Sequence, residues 1–156
     1  MKTLAILAMI ASASTAYAGG SSYDVSGTTV GKAENTYVPM GETHLFIDVN
    51  STYTMPDNGT PMDGMVGDCL GSLQVAMGAG ATGMGTCVWT DDDGDSWFGP
   101  WNVSGMTPDR ATSGTWYVSG GTGKFATASG GGTFTSLTNP ETGESKLDVF
   151  GSVVVK

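Results

Sequence analysis

From His44 to Asn50 the chain alternates, with Leu45, Ile47 and Val49 on one side and His44, Phe46, Asp48 and Asn50 on the other. A side-chain period of two belongs to a β-strand with one buried face. Comparable stretches run over Tyr23–Val30, Cys69–Met77, Thr86–Thr90, Ser96–Val103, Thr112–Ser119, Gly131–Leu137 and Lys146–Val155, about eight strands in all. No segment sustains a helical period. Turn chemistry falls between the strands, at Pro56-Asp57-Asn58-Gly59, Gly78 to Gly83, Asp91 to Asp95, Thr107-Pro108-Asp109, Gly120 to Gly123 and Asn139 to Gly143. Short strands broken at this spacing predict an all-β fold, a single antiparallel barrel, with a β-sandwich as the alternative.

Composition supports that class. Glycine supplies 25 of the 156 residues, too many for long helices to survive. The first 18 residues differ from the rest: Lys2, a short apolar run from Leu4 to Ala11, then Ala16-Tyr17-Ala18 before Gly19. A charged start, an apolar core and an A-x-A site describe a secretory signal peptide, and the run is too short for a bilayer-spanning helix. The reading that follows is a signal peptide over 1–18, one barrel domain over 19–156, no membrane span, and a periplasmic or secreted location.

Without Lys2, five basic residues (Lys32, Arg110, Lys124, Lys146 and Lys156) stand against fifteen acidic ones, a net charge of −10. Such a surface repels nucleic acid, which is excluded as a partner. Cys69 and Cys87 are the two cysteines, and in an oxidising compartment they predict one disulfide. Both are equidistant from Gly78, so a hairpin centred there sets them side by side; closing this loop contributes about 3 kcal/mol in the chain-entropy model.

Several motifs invite chemistry. Asp91-Asp92-Asp93-Gly94-Asp95 resembles the start of a calcium loop, with Asp91, Asp93 and Asp95 as candidate ligands. The sixth position of such a loop is Ser96 instead of Gly and the twelfth is Asn102 instead of Glu, so an acidic hairpin tip competes with weak calcium binding. Gly120-Gly121-Thr122-Gly123-Lys124-Phe125 lacks the residues of a phosphate-binding loop and runs toward another strand, which makes it a tight corner or bulge. Met62 and Met65 form a thioether pair that would suit Cu(I), against the usual role of methionine as core filler. His44 is the single histidine, no G-x-S-x-G occurs, and no spacing selects a carboxylate pair, so no catalytic residue is assigned. Trp89, Trp97, Phe98, Trp101 and Tyr117 are the candidate ligand-binding residues, because clustered rings line pockets as well as cores. Pro100 among them predicts an edge or a bulge.

The stretch Trp116-Tyr117-Val118-Ser119-Gly120-Gly121-Thr122-Gly123-Lys124-Phe125, followed by Ala128-Ser129-Gly130-Gly131-Gly132-Thr133-Phe134, resembles the allene oxide cyclase and dirigent-like barrel superfamily, including small exported bacterial members. The resemblance covers the C-terminal half. It implies an eight-stranded antiparallel barrel with an apolar cavity at one mouth, and carries over no catalytic residue. Two functions stay open: a non-catalytic module holding a small apolar or aromatic molecule without a cofactor, and a cyclase-type enzyme that shapes a flexible substrate in that cavity. An ionisable group in a perturbed environment inside the cavity would separate them.

Overall fold

The computed structural model describes residues 19–156; the signal-peptide reading falls on residues 1–18, outside them. Eleven strands follow one another: β1 (Ser21–Asp24), β2 (Gly27–Ala33), β3 (Thr36–Pro39), β4 (His44–Thr54), β5 (Val66–Ala76), β6 (Gly80–Thr90), β7 (Ser96–Met106), β8 (Thr112–Tyr117), β9 (Gly120–Gly121), β10 (Ser129–Thr138) and β11 (Glu144–Val155). One 3-10 turn, Gly123–Phe125, interrupts them. All pairings are antiparallel, and the order β2-β4-β5-β6-β7-β8-β10-β11 closes when β11 pairs back onto β2, Glu144 opposite Lys32. The fold is therefore a closed eight-stranded barrel. Closure leaves the ring without a free edge.

The three small strands complete neighbours without widening the ring. β1 continues β2 along the far half of β11, Ser21 opposite Val155, and β3 continues β2 along the start of β4, Tyr37 opposite Ile47. The stretch expected as one strand, Tyr23–Val30, breaks at Val25 and Ser26, where Val25 N–H donates to the Gly151 carbonyl and Ser26 Oγ accepts from Gly151 N–H.

One boundary departs from expectation for a physical reason. Gly78 to Gly83 reads as a turn, yet β6 already begins at Gly80, paired with Ala76. Ala81, Gly83 and Gly85 are strand residues on the inner face, and the space a side chain would fill there is taken by Leu73 and Trp101 from the flanking strands. Pro100 occupies neither an edge nor a simple bulge: it sits where β7 changes partner, Trp101 facing Trp116 on β8 and Phe98 facing Gly120 on β9.

One end of the barrel is closed. The β4–β5 connection brings Met55, Met62 and Met65 into the core, and the turn after β9 adds Phe125 and Ala128, all buried in one cluster with Val25 and Val153. The connection is pinned by Asp63, whose carboxylate accepts from the Asn58, Gly59 and Thr60 amides at 3.1, 2.7 and 3.0 Å and from the Thr60 hydroxyl at 2.8 Å. Those amides hold the Asp63 carboxyl below its ordinary pKa, that of Asn58 foremost, against the opposing effect of burial. The other end stays open.

Candidate functional site

Strand alternation decides what faces the lumen. On β7 the odd positions Trp97, Gly99, Trp101 and Val103 point inward, and on the neighbouring strands Trp89, Trp116 and Phe134 do the same. The rings lie against the wall. Trp101 crosses the inner faces of Gly85 and Gly71 on two successive strands, Trp89 covers Gly67, Tyr53 covers Gly31, and Trp116 reaches past β10 to Gly151. Each of these five glycines is a hollow that a large ring from a nearby strand fills. Rings laid into the wall contribute buried area without filling the centre.

A cavity therefore persists. Its deep part, about 100 Å³, is walled by Trp89, Trp97, Trp101, Trp116 and the Cys69–Cys87 disulfide. The two cysteines are directly opposed on β5 and β6, Cα atoms 4.0 Å apart, as the hairpin argument expected; both line the lumen. The wider part, about 420 Å³, opens past Leu45, Val75 and Met106 to a rim holding Asn35, Asp109 and Arg110. Val49, Ser51, Tyr53, Leu73, Thr112 and Ser136 border both parts, so the two adjoin within the lumen.

Polar groups sit at chosen heights on this wall. Tyr53 Oη lies 2.8 Å from Ser145 Oγ and 3.4 Å from Ser136 Oγ, and Thr138 Oγ1 lies 2.8 Å from Ser145 Oγ, a hydroxyl chain spanning β4, β10 and β11. Deeper, Trp97 and Trp89 stack at 5.7 Å and Trp97 and Trp116 tilt at 5.8 Å. The indole N–H groups of Trp97, Trp101 and Trp116 are buried without an acceptor. An unmet buried donor costs about 1–3 kcal/mol.

Compared by sequence, the chain matches no protein-family model and no curated protein. Compared by structure, it is similar to the pterocarpan synthase dirigent protein GePTS1, with a TM-score of 0.50 over 89% of this chain and 88% of that one, at 14% identity. The barrel has a dirigent-like fold. At that identity the likeness is one of fold alone.

Within this dirigent-like barrel the candidate ring residues divide. Trp89, Trp97 and Trp101 line the lumen, and so does Trp116, which was not among the candidates. Phe98 does not: alternation turns it outward over Gly120, 38% exposed. Tyr117 borders the cavity, but its ring packs against outward-facing Gly131 and is 51% exposed. Tyr53, Ser136 and Ser145 went unnoticed although Ser136 and Ser145 stand two positions from the inward residues Phe134 and Leu147, the signal that could have found them.

The acidic turn and the glycine-rich corner, two separate motifs in sequence, meet at the closed end. Asp91 Oδ1 accepts from the Asp93 and Asp95 amides at 3.0 and 2.9 Å, while Asp91 Oδ2 pairs with Lys124 Nζ at 2.5 Å. Lys124 Nζ also lies 3.6 Å from Asp93, and its backbone N–H donates to Asp95 Oδ2 at 3.1 Å. The preceding Gly123 has φ +48°, and a side chain there would collide with the Asp95 carboxylate. The hydrogen bond from Lys124 is the main cause that holds Asp91 below its ordinary pKa, and Asp91 in turn raises Lys124. Among the described residues no group of three or more His, Cys, Asp or Glu side chains is gathered to hold a metal ion. Met62 and Met65 lie buried in the closed-end core, and His44 stands exposed at the start of β4, its Nδ1 3.0 Å from the Thr43 hydroxyl.

Proposed function

We propose that the protein is an exported, non-catalytic binding barrel whose lumen holds a small apolar or aromatic molecule. The observation that carries this reading is the cavity itself, walled at depth by four tryptophans, three of them (Trp89, Trp101 and Trp116) laid into glycine hollows. Its wider part alone is of a size with small-molecule sites, and such sites join mostly apolar walls to a few oriented polar groups, as here the hydroxyl chain and the unmet indoles. The deep lining, among the described residues, includes no Asp, Glu, His, Lys or Arg. The groups with shifted titration (Asp24, Asp63, Asp91, Lys124 and Asp148) line neither part of the cavity, which favours holding a molecule over acid–base work on it. The disulfide supports an oxidising compartment, and no described helix is long and apolar enough to cross a membrane.

Titration with N-phenyl-1-naphthylamine, an uncharged fluorescent aromatic, tests the reading. Saturable one-site binding with energy transfer from tryptophan is expected, and Val49→Trp, which narrows the passage between the two parts, lowers affinity at least about tenfold while circular dichroism is unchanged. Absence of saturable binding, or a Val49→Trp variant that binds as well, overturns it. Native mass spectrometry of protein from its own host adds a second readout: a mature chain starting at Gly19 with a retained small molecule.

A further inference from the structure

Arg110 is the one arginine of the chain, and it lines the rim of the wide part of the lumen. Its backbone is unusual. At φ 68° it is the one non-glycine residue with positive φ among the described residues, held there by the turn that closes β7 onto β8. In that turn the Thr107 amide donates to the Ala111 carbonyl at 2.8 Å, the Arg110 amide to the Thr107 carbonyl at 2.9 Å, and the Ala111 amide to Thr107 Oγ1 at 3.1 Å. Glycine or asparagine takes this conformation with less strain, so the turn by itself gives no reason for arginine. Its charge is also uncommitted. Lys124 and Lys146 are ion-paired, whereas no carboxylate among the described residues lies within ion-pair distance of the Arg110 guanidinium. In a chain of net charge −10 after the first 18 residues, an unpaired cation in a strained turn at the mouth of an apolar cavity points to something that meets it there.

We infer that the molecule bound in the lumen is an aromatic acid, its rings against the tryptophan wall and its anionic group at Arg110. The inference rests on the binding function proposed above and adds the charge and orientation of the ligand. Asp109, which also lines the rim, opposes an anion and sets a second, opposite expectation.

The test uses two probes with the same rings: 1-anilinonaphthalene-8-sulfonate and its uncharged twin N-phenyl-1-naphthylamine. Arg110→Gly lowers affinity for the sulfonate about five- to tenfold and leaves the uncharged twin within about twofold. Arg110→Lys retains part of the preference, Asp109→Asn raises sulfonate affinity, and Lys156→Gln, at the closed end, changes neither. Because glycine relieves the positive φ, Arg110→Gly melts no lower than the parent, so lost binding cannot come from unfolding. If the uncharged twin binds the parent and Arg110→Gly affects both probes equally or neither, the aromatic-acid inference fails while the binding barrel stands. If the uncharged twin does not bind the parent, the binding barrel fails and takes this inference with it.

Discussion

Asp91 shows how one residue can settle competing readings of a motif. Four carboxylates in five positions look like a cation site until a lysine 33 positions later arrives by way of a glycine corner. With Oδ1 taken by two amides and Oδ2 ion-paired with Lys124, Asp91 is already engaged by the protein. Its depressed carboxyl contributes stability that is present above the unfolded value near 3.9 and is lost as pH falls below about 4. The raised Lys124 contributes stability present below about 10.4 and lost as pH rises beyond it. Asp91→Ala is therefore expected to cost about 1–3 kcal/mol at pH 7, since it strands two amides as well as a cation. Lys124→Met costs less, about 0.2–1 kcal/mol, because its side chain is partly exposed. Denaturant melts at pH 7 and pH 2.5 check this: the gap between parent and Lys124→Met should narrow in acid, and an unchanged gap would show that the pair is not what Lys124 contributes.

At the scale of strands, alternation is the property that the sequence carries most faithfully. It places Leu45, Ile47 and Val49 inward as read, and it places Cys69 opposite Cys87. Glycine hides what it does. Gly83 looks like a turn residue, and Gly85 gives no sign of its role, because the reasons for them, the side chain of Leu73 and the ring of Trp101, come from other strands and are not local in sequence. The same non-locality hides Trp116, whose partner hollow at Gly151 is 35 residues away. Gly85→Ala puts a methyl against the Leu70 carbonyl, which cannot withdraw without opening the β5–β6 ladder, and against the Trp101 ring, which is packed in the wall. We expect it to destabilise by about 2–3 kcal/mol, whereas Gly105→Ala, whose Cβ would meet only Ser113 Oγ at 3.3 Å, stays within about 0.5 kcal/mol. Equal effects in thermal melts of the two variants would remove the hollow-and-ring account of this wall.

For the whole molecule, closure and charge act in opposite directions. Pairing β11 with β2 sets Glu144 opposite Lys32 and closes the eight-stranded ring, while fifteen acidic residues against five basic ones repel one another over the closed surface. That repulsion extends across the barrel in dilute buffer, where the screening length is about 30 Å, and fades at physiological ionic strength, where it is about 8 Å. The melting temperature should therefore rise with added salt at pH 7. The identity of the cation should matter little, because Lys124 already sits within the densest acidic cluster, against Asp91 and Asp93, and the best-placed ligand, Asp91, is held by two amides and that charge. Melts at matched ionic strength in sodium, magnesium and calcium chloride are expected to coincide for the two divalent salts, with Asp93→Asn following the same curve. An upward shift of several degrees in low-millimolar calcium that magnesium does not reproduce and Asp93→Asn abolishes would mean that the ion displaces Lys124 from the turn, and that the acidic tip is a cation site after all.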